Sequence, residues 1–477
     1  MRDENAYYSP EKRAVLFGYF QARSSRDDSV APGSMVFTCL SRDIIAHEMT
    51  HALLDGLHRR FEEASNPDVV AFHEAFADII ALFQHFTITE LVRYEIAQAR
   101  GNLTAAKLLG GLAKEFGEGA NRHGPLRDYV GSGAAKLDYA TTLEPHARGS
   151  ILVRAVYDAF VSVVARRTAD LVRIATGGTG ELPAGALHPD LVARLSTETC
   201  ETAADFLQMC IRALDYCPPV DITFGEYLRA IITADRDLDA EDRDGCRVAI
   251  MEAFAEHGIL PSGVRTISEE TLAWGTFDEA KPAWLDEVLK KVEIPWNKEL
   301  NRSQVFQLSE DNRWHLWRAL RKMFSAHPDV LREFGLAPNL PRYNADGSVH
   351  SKPGAGETTF EVHNVRFARR VAPDGTFRYE IVAVITQRQP LFRDLDDHGK
   401  GFTWFRGGAT LIIDPREGKR EIRYSILKSS ASASRQQRQR DTMGRGYLSP
   451  LRQLYFGGDT AEPFALIHAD REATHGH

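Results

Sequence analysis

The chain has 477 residues and a formal net charge of −8, with 43% hydrophobic and 26% charged residues. Its length suffices for about two or three domains, and its composition is that of a soluble globular protein. The negative charge argues against a nucleic-acid partner, because nothing supplies a field that attracts phosphates. No apolar run approaches the length of a membrane-spanning helix, so we expect no membrane partner either.

The cysteines indicate a reducing compartment. They are odd in number and lack CxxC spacing, which is typical of free thiols and not of a disulfide framework: Cys39, Cys200, Cys210, Cys217 and Cys246. The first residues do not resemble a signal peptide. We therefore expect an intracellular location, unless the true start of the gene lies upstream.

An aromatic strand pair is predicted at the N-terminus. Residues 5–8 and 14–20 are rich in aromatic and β-branched side chains, and a turn signal at residues 9–12 separates them. An exposed edge strand can hold an extended peptide through main-chain hydrogen bonds. The alternative is an ordinary hairpin, because aromatic strands are common.

The most informative stretch follows Ser41, a suitable N-cap for a helix. His47 and His51 are four residues apart, so a helix stacks both imidazoles on one face, where they can share one metal ion. Glu48 then lies beside the ion. Two neutral imidazoles with an adjacent carboxylate suit a zinc hydrolase, which needs an open coordination position and a base for the water in it.

Three downstream residues are candidates for the third ligand. His58 lies on the same helix face, but about 10 Å further along the axis if the helix continues. His73 points about a quarter-turn away from Glu74, so we expect it to pack or hydrogen-bond nearby. Glu74 is the better candidate.

Glu74 belongs to a second predicted helix that begins at Asn66-Pro67, a cap residue followed by proline. Apolar residues surround Glu74 and Asp78, which share one face of this helix. Burying unpaired carboxylates is costly, and binding a metal, or a histidine that binds one, removes the difficulty.

The stretches HEMTHALLD and HEAFADI resemble the thermolysin-type gluzincins, in which HExxH is followed by a glutamate in the pattern E-x-x-x-D. The resemblance implies that His47, His51 and Glu74 bind Zn²⁺ and that Glu48 activates a water molecule. It also implies that Asp78 orients one of the ligand histidines.

The same resemblance suggests residues that contact the substrate. In that family an Asn-Ala-aromatic strand lines the cleft, which implies that Asn5 and Ala6 pair with the substrate backbone. Arg127 would hold a substrate carbonyl. The family has a β-rich lobe before this strand, and this sequence lacks it.

A second catalytic histidine is implied at the start of a later helix, where His146 would stabilise the tetrahedral oxyanion. Its alternative role is that of a surface histidine at a helix start. Glu144 and Asp138 both remain candidates for orienting it. Residues 52–73 contain no tyrosine, although the family places an oxyanion-binding tyrosine there, and this departure predicts a slower reaction.

The resemblance covers about residues 5–258. Beyond it, residues 281–335 have helical periodicity, and hairpin signals from residue 358 predict antiparallel strands. We therefore expect an α+β protein with a mainly helical, thermolysin-like domain over 1–260 that has an N-terminal edge-strand pair and lacks the upstream β lobe. A helical linker region over 261–350, a small antiparallel β module over 351–430 and a flexible tail over 431–477 would follow.

Together these features predict a zinc-dependent endopeptidase acting on a peptide or protein substrate. One alternative is a gluzincin exopeptidase, which would need an anchor for a free amino terminus. Another is a weakly active or inactive metallopeptidase-like scaffold, in which the β module matters for binding.

Overall fold

The computed structural model describes residues 2–22, 31, 33–112, 127–128, 137–182, 184–277, 282–295, 299–354, 357–371, 375–392, 402–418, 420–444 and 462–469. These residues form helices and antiparallel strands, which confirms the α+β class.

The strands are β1 Ala6–Ser9, β2 Ala14–Phe17, β3 Tyr19–Gln21, β4 Met35–Phe37, β5 Gly111–Leu112, β6 Arg127–Asp128, β7 Arg342–Tyr343, β8 Val349–Ser351, β9 Glu361–Val371, β10 Phe377–Phe392, β11 Phe402–Asp414 and β12 Glu421–Lys428. The α-helices are α1 Arg42–Leu57, α2 Pro67–Gln84, α3 Thr89–Gln98, α4 Lys107–Gly110, α5 Pro145–Ala175, α6 Pro189–Ala213, α7 Phe224–Leu238, α8 Cys246–Glu256, α9 Glu269–Leu272, α10 Leu285–Leu289, α11 Arg302–Ala326, α12 Ala433–Gly444 and α13 Pro463–Ala469.

The chain divides into two compact units. Unit 1 comprises Met1–Ile211, Glu241–Gly263 and Pro450–His477, and unit 2 comprises Arg212–Ala240 and Val264–Ser449. These units do not coincide with the boundaries predicted from the sequence. Helix α7, which falls within the predicted first domain over 1–260, lies in unit 2, where its Asp237 pairs with Arg423 of β12.

Helices α1 and α2 begin where the sequence predicts. The Ser41 hydroxyl caps α1 by accepting a hydrogen bond from the Ile44 N–H, and the Asn66 side chain caps α2 by accepting one from the Asp68 N–H at 2.8 Å. Nearly every side chain of α2 is buried. The helix is therefore a core element of unit 1, packed against α1 and α5.

The hydropathy of α2 corrects the expectation that no run is apolar enough to cross a membrane. Pro67–Thr87 has a mean hydropathy of 1.3, so by length and composition it could cross a membrane, whereas the sequence was expected to contain no such run. In the fold, 89% of its most apolar window is buried. Helices at the centre of a globular core have this character as well.

A glycine allows α5 to approach α2 closely. A Cβ atom at Gly149 would lie 2.9 Å from the Ala71 carbonyl oxygen and 3.3 Å from the Ala75 nitrogen. Because both are backbone atoms of α2, a larger residue would force the two helices apart. The contact lies one residue from Glu74 and three from His146.

The predicted N-terminal strand pair is confirmed. Strand β1 pairs antiparallel with β2, with Ala6 opposite Phe17 and Ser9 opposite Ala14. Tyr8 attaches β1 to α1, because its hydroxyl donates a hydrogen bond to Asp55 at 2.7 Å.

Two helices lie in the described part of residues 431–477, which the sequence predicts to be a flexible tail. Residues 433–444 form α12, and residues 463–469 form α13. In α13 the side chains of Phe464, Ile467 and His468 are buried, because they pack within unit 1.

In unit 2 the strands predicted after residue 358 form a four-stranded antiparallel sheet in the order β12-β11-β10-β9. Helix α11 packs on it through Leu316, Leu320 and Phe324, which join a core with Ile381 and Leu411 of the sheet.

We expect Gly149→Ala to destabilise the protein by about 1–3 kcal/mol, because the added methyl group displaces α5 from α2. Gly56→Ala in α1 is the control. Its Cβ would meet no heavy atom within 4 Å, so this change should stabilise the helix by roughly 0.5–1 kcal/mol. Urea unfolding measures the free energy of unfolding of both variants. Equal values for the two variants would contradict the close packing of α5 on α2.

The stability of unit 1 should also depend on the protonation of Glu62. Burial, followed by the nearby Asp55 and Glu63 carboxylates, raises the pKa of Glu62 to about 7 from its ordinary value of 4.5. The folded state therefore binds an extra proton between these pH values, and stability falls as the pH rises through this window.

Glu62→Gln removes this titration. The stability gained by the variant over the wild type should be near zero at pH 4 and grow to at most about 3 kcal/mol above pH 7. Thermal unfolding across this pH range measures it. Glu90→Gln, at an exposed position in α3, should leave the pH profile of stability unchanged, and a profile equally unchanged by Glu62→Gln would contradict the prediction.

Candidate metal centre

Helices α1 and α2 bring the predicted ligands together. His47 and His51 stack one turn apart on α1, with their Nε2 atoms 3.0 Å apart. Glu74 of α2 places Oε2 3.4 Å from His47 Nε2 and Oε1 3.6 Å from His51 Nε2. The three side chains therefore converge on one point.

A fourth donor, His468 of α13, completes the cluster. Its Nε2 lies 3.4 Å from Glu74 Oε1, and the ligand atoms of His47, His51, Glu74 and His468 all lie within 4.8 Å of one another. All four residues are buried. This group could hold a metal ion.

Four of the contacts among these donors are close to the spacing expected around a tetrahedral ion, and all four ligand atoms lie within 4.8 Å of one another. Bonds of about 2.0–2.1 Å to a tetrahedral zinc place neighbouring ligand atoms about 3.3 Å apart. The separations of 3.0, 3.4, 3.4 and 3.6 Å lie on either side of that value.

The outer nitrogens of the imidazoles are held by hydrogen bonds. His47 Nδ1 lies 2.8 Å from Asp78 Oδ1, as the predicted orienting role requires. His468 Nδ1 lies 2.8 Å from the Ala6 carbonyl oxygen, which can only accept a hydrogen bond. In their neutral forms, both rings therefore carry the proton on Nδ1 and direct the Nε2 lone pair inward.

His51 is held in the same way by another histidine. Its Nδ1 lies 3.3 Å from His73 Nδ1, which agrees with the prediction that His73 hydrogen-bonds beside the site. Burial lowers the pKa of His51 well below its ordinary value and that of His73 to about 4. Both rings are therefore neutral at pH 7, the form in which an imidazole binds a metal.

Glu74 carries the negative charge of the cluster. Burial opposes its ionisation, but the neighbouring histidines, above all His146 with its hydrogen bond, outweigh burial and hold its pKa well below the ordinary value. Inward lone pairs of His47 and His468 beside an ionised carboxylate repel one another unless a cation lies between them. The donor set thus suits a divalent cation.

The predicted base, Glu48, is buried next to the cluster and is not part of it. Its Oε2 accepts a hydrogen bond from the Tyr8 N–H at 3.0 Å, and its Oε1 lies 3.4 Å from His468 Nδ1.

His146 lies at the cluster, at the start of α5, and not on the open surface. Its Nε2 is 3.1 Å from Glu74 Oε2, and its Nδ1 is 3.0 Å from Glu144 Oε1. Glu144 is thus the residue that orients His146, whereas Asp138 accepts hydrogen bonds from Ala140 and Thr141.

The Glu144 carboxylate also caps α5 by accepting hydrogen bonds from the N–H groups of His146 and Ala147. Burial opposes its ionisation, but the hydrogen bond with His146 and these backbone contacts lower its pKa to about 2. Glu144 is therefore ionised at pH 7 and fixes the ring of His146.

The predicted substrate-binding residues have different surroundings. The Asn5 side chain donates a hydrogen bond to the Ala465 carbonyl at 3.1 Å, and Ala6 contacts His468. The backbone of Arg127 belongs to β6, which pairs with β5, and its side chain lies outside the described part of the chain. His58 stacks on Phe61, with the ring centroids 4.5 Å apart.

His468 was missed by the sequence analysis. The signal that could have found it is the short apolar run Pro463–Ile467, which starts with a helix-compatible proline. Nothing in that run specifies which residues it contacts.

Comparisons with protein-family models, curated proteins and solved structures found no match for this chain.

If Asp78 orients His47, Asp78→Ala should weaken metal binding by about 10–100-fold, because the ring loses its fixed direction and tautomer. Competition with a chromophoric chelator measures the affinity for zinc. Asp43→Ala is the matched control, because it breaks an Asp–His contact of 2.9 Å with His85 outside the cluster. Equal zinc affinities of the two variants would contradict this role of Asp78.

Proposed function

We propose that this chain is a zinc-dependent endopeptidase of thermolysin-like type. The convergence of His47, His51 and Glu74 on one point, with Glu48 beside it, carries the proposal. Imidazole donors together with one carboxylate favour zinc among the divalent metals.

In the proposed reaction, bound zinc would lower the pKa of a water molecule toward neutrality and polarise the scissile carbonyl. Glu48 accepts the proton of that water and passes it to the leaving amine. His146, oriented by Glu144, lies close enough to Glu74 to donate a hydrogen bond to the developing oxyanion. Asn5 and the backbone of β1 hold the extended substrate peptide.

A structural metal site is the second candidate. The observation that favours it is His468, because a site with four protein donors is closed, whereas a catalytic zinc site keeps one position for water. In that case the cluster would only stabilise the fold, and the chain would be a metallopeptidase-like scaffold.

Hydrolysis of casein separates the two candidates. The full chain carrying His468→Ala is assayed with stoichiometric zinc, because this change removes the fourth protein donor and would leave a bound ion one position for water. Adding Glu48→Gln to this chain should lower the rate by about 10²–10⁴-fold while zinc stays bound, since the base is lost. Glu256→Gln, at an exposed position of α8, is the control and should not change the rate.

Two results would contradict the proposed mechanism: cleavage that a chelator does not stop, and cleavage that Glu48→Gln does not reduce. Absence of cleavage by a folded, zinc-loaded His468→Ala chain would favour the structural site.

A further inference from the structure

A short segment near the C-terminus enters the candidate metal centre. It comprises Glu462 and the first residues of α13, and we refer to Glu462–His468 as the C-terminal plug. Its last residue is the fourth donor of the cluster. The plug and the cluster both belong to unit 1.

The plug is attached at its two ends and in its middle. At the start, Glu462 pairs with Lys12 and accepts a hydrogen bond from the Ser9 hydroxyl at 3.0 Å. In the middle, Phe464 stacks on the His51 ring at 4.6 Å and packs against Tyr8.

The end of the plug contacts residues that the proposed reaction uses. The Asn5 side chain bonds the Ala465 carbonyl, and the Ala6 carbonyl bonds His468 Nδ1. The same imidazole approaches Glu48 on one side and Glu74 on the other. One segment of the chain thus contacts the strand proposed to bind the peptide, the proposed base Glu48 and the metal ligand Glu74.

The Nε2 atom of His468 has the chemistry of a ligand. The ring is buried, and among the described residues this nitrogen has no hydrogen-bond partner. Its lone pair points toward the cluster, because Nδ1 carries the proton that Ala6 accepts. A buried imidazole nitrogen in this position is satisfied by a metal ion.

The shape of the plug opposes its own cleavage. A peptidase of the proposed type holds an extended substrate against an edge strand. Pro463–Ala469 is helical, so its backbone does not form a ladder with β1. The plug can therefore fill the site without presenting a scissile bond in the productive geometry.

We propose that the C-terminal plug is an intramolecular inhibitor that closes the metal centre, with His468 in the coordination position that the reacting water needs. This inference rests on the proposed function, because the plug is an inhibitor only if the metal centre is catalytic. Tethering places the ligand at a high effective concentration, so weak contacts suffice to keep the site closed.

Binding of azide to the cobalt-substituted full chain tests closure of the metal centre without any assay of hydrolysis. Cobalt takes the place of zinc and reports its ligands in the visible spectrum. The proteins are the wild type, His468→Ala, which removes the ligand, and Phe464→Ala, which loosens the plug and keeps every donor. His188→Ala and Phe306→Ala are matched controls, because both side chains are exposed.

Azide should bind the cobalt of His468→Ala and Phe464→Ala about a hundredfold more tightly than that of the wild type and of both controls. The cobalt spectrum of His468→Ala should differ from that of the wild type even without azide. Equal azide affinities and equal spectra in all five proteins would overturn the proposal.

A synthetic peptide with the sequence of residues 462–477 provides a second test. Added to Phe464→Ala, it should restore the wild-type cobalt spectrum and displace azide, and the same peptide carrying His468→Ala should not. Displacement by both peptides alike would mean that His468 is not the ligand, which would overturn the proposal.

Casein hydrolysis by the same proteins, loaded with zinc, distinguishes a failure of the plug proposal from a failure of the proposed endopeptidase function. Faster cleavage by the two plug variants, together with tighter azide binding, supports both proposals. Tighter azide binding without cleavage supports closure by the plug and overturns the endopeptidase. Cleavage by the wild type at the rate of both variants, with unchanged azide binding, overturns the plug and supports the endopeptidase.

Discussion

The structure of unit 1 depends on an ionised carboxylate at the centre of an apolar helix. Glu74 lies on α2 among side chains that are almost all buried, and its own exposure is 1%. Removing a lone carboxylate from water costs many kcal/mol, so the fold must compensate this charge. His146 Nε2 lies 3.1 Å from Glu74 Oε2. The inward lone pairs of His47 and His468 face the same carboxylate, so a cation is needed to balance its charge.

The need to hold a cation beside Glu74 explains the polar contacts around the cluster. Each ligand histidine has its outer nitrogen held by a different residue: Asp78 of α2 holds His47, His73 of α2 holds His51, and the Ala6 carbonyl of β1 holds His468. Gly149 lets α5 pack close enough to α2 for its histidine to reach Glu74. A single buried charge thus accounts for the arrangement of the strand hairpin and four helices.

Sequence reasoning succeeded where the signal is local. Caps and helical periodicity located α1 and α2, and a spacing of four residues on each helix was enough to pair His47 with His51 and Glu74 with Asp78. His468 could not be found in this way, because its partners lie more than 390 residues away and no period links them. The same limitation affected the boundary of the units, since α7 belongs to unit 2, where its Asp237 pairs with Arg423 of a strand that follows much later.

The central claim is that His47, His51 and Glu74 bind one metal ion. Anomalous diffraction at the zinc absorption edge, from crystals of the full chain grown with zinc, tests it most directly. The account predicts one peak within about 2.0–2.2 Å of His47 Nε2, His51 Nε2 and a Glu74 carboxylate oxygen. A folded chain with no peak at that point, or with its zinc bound elsewhere, would contradict it.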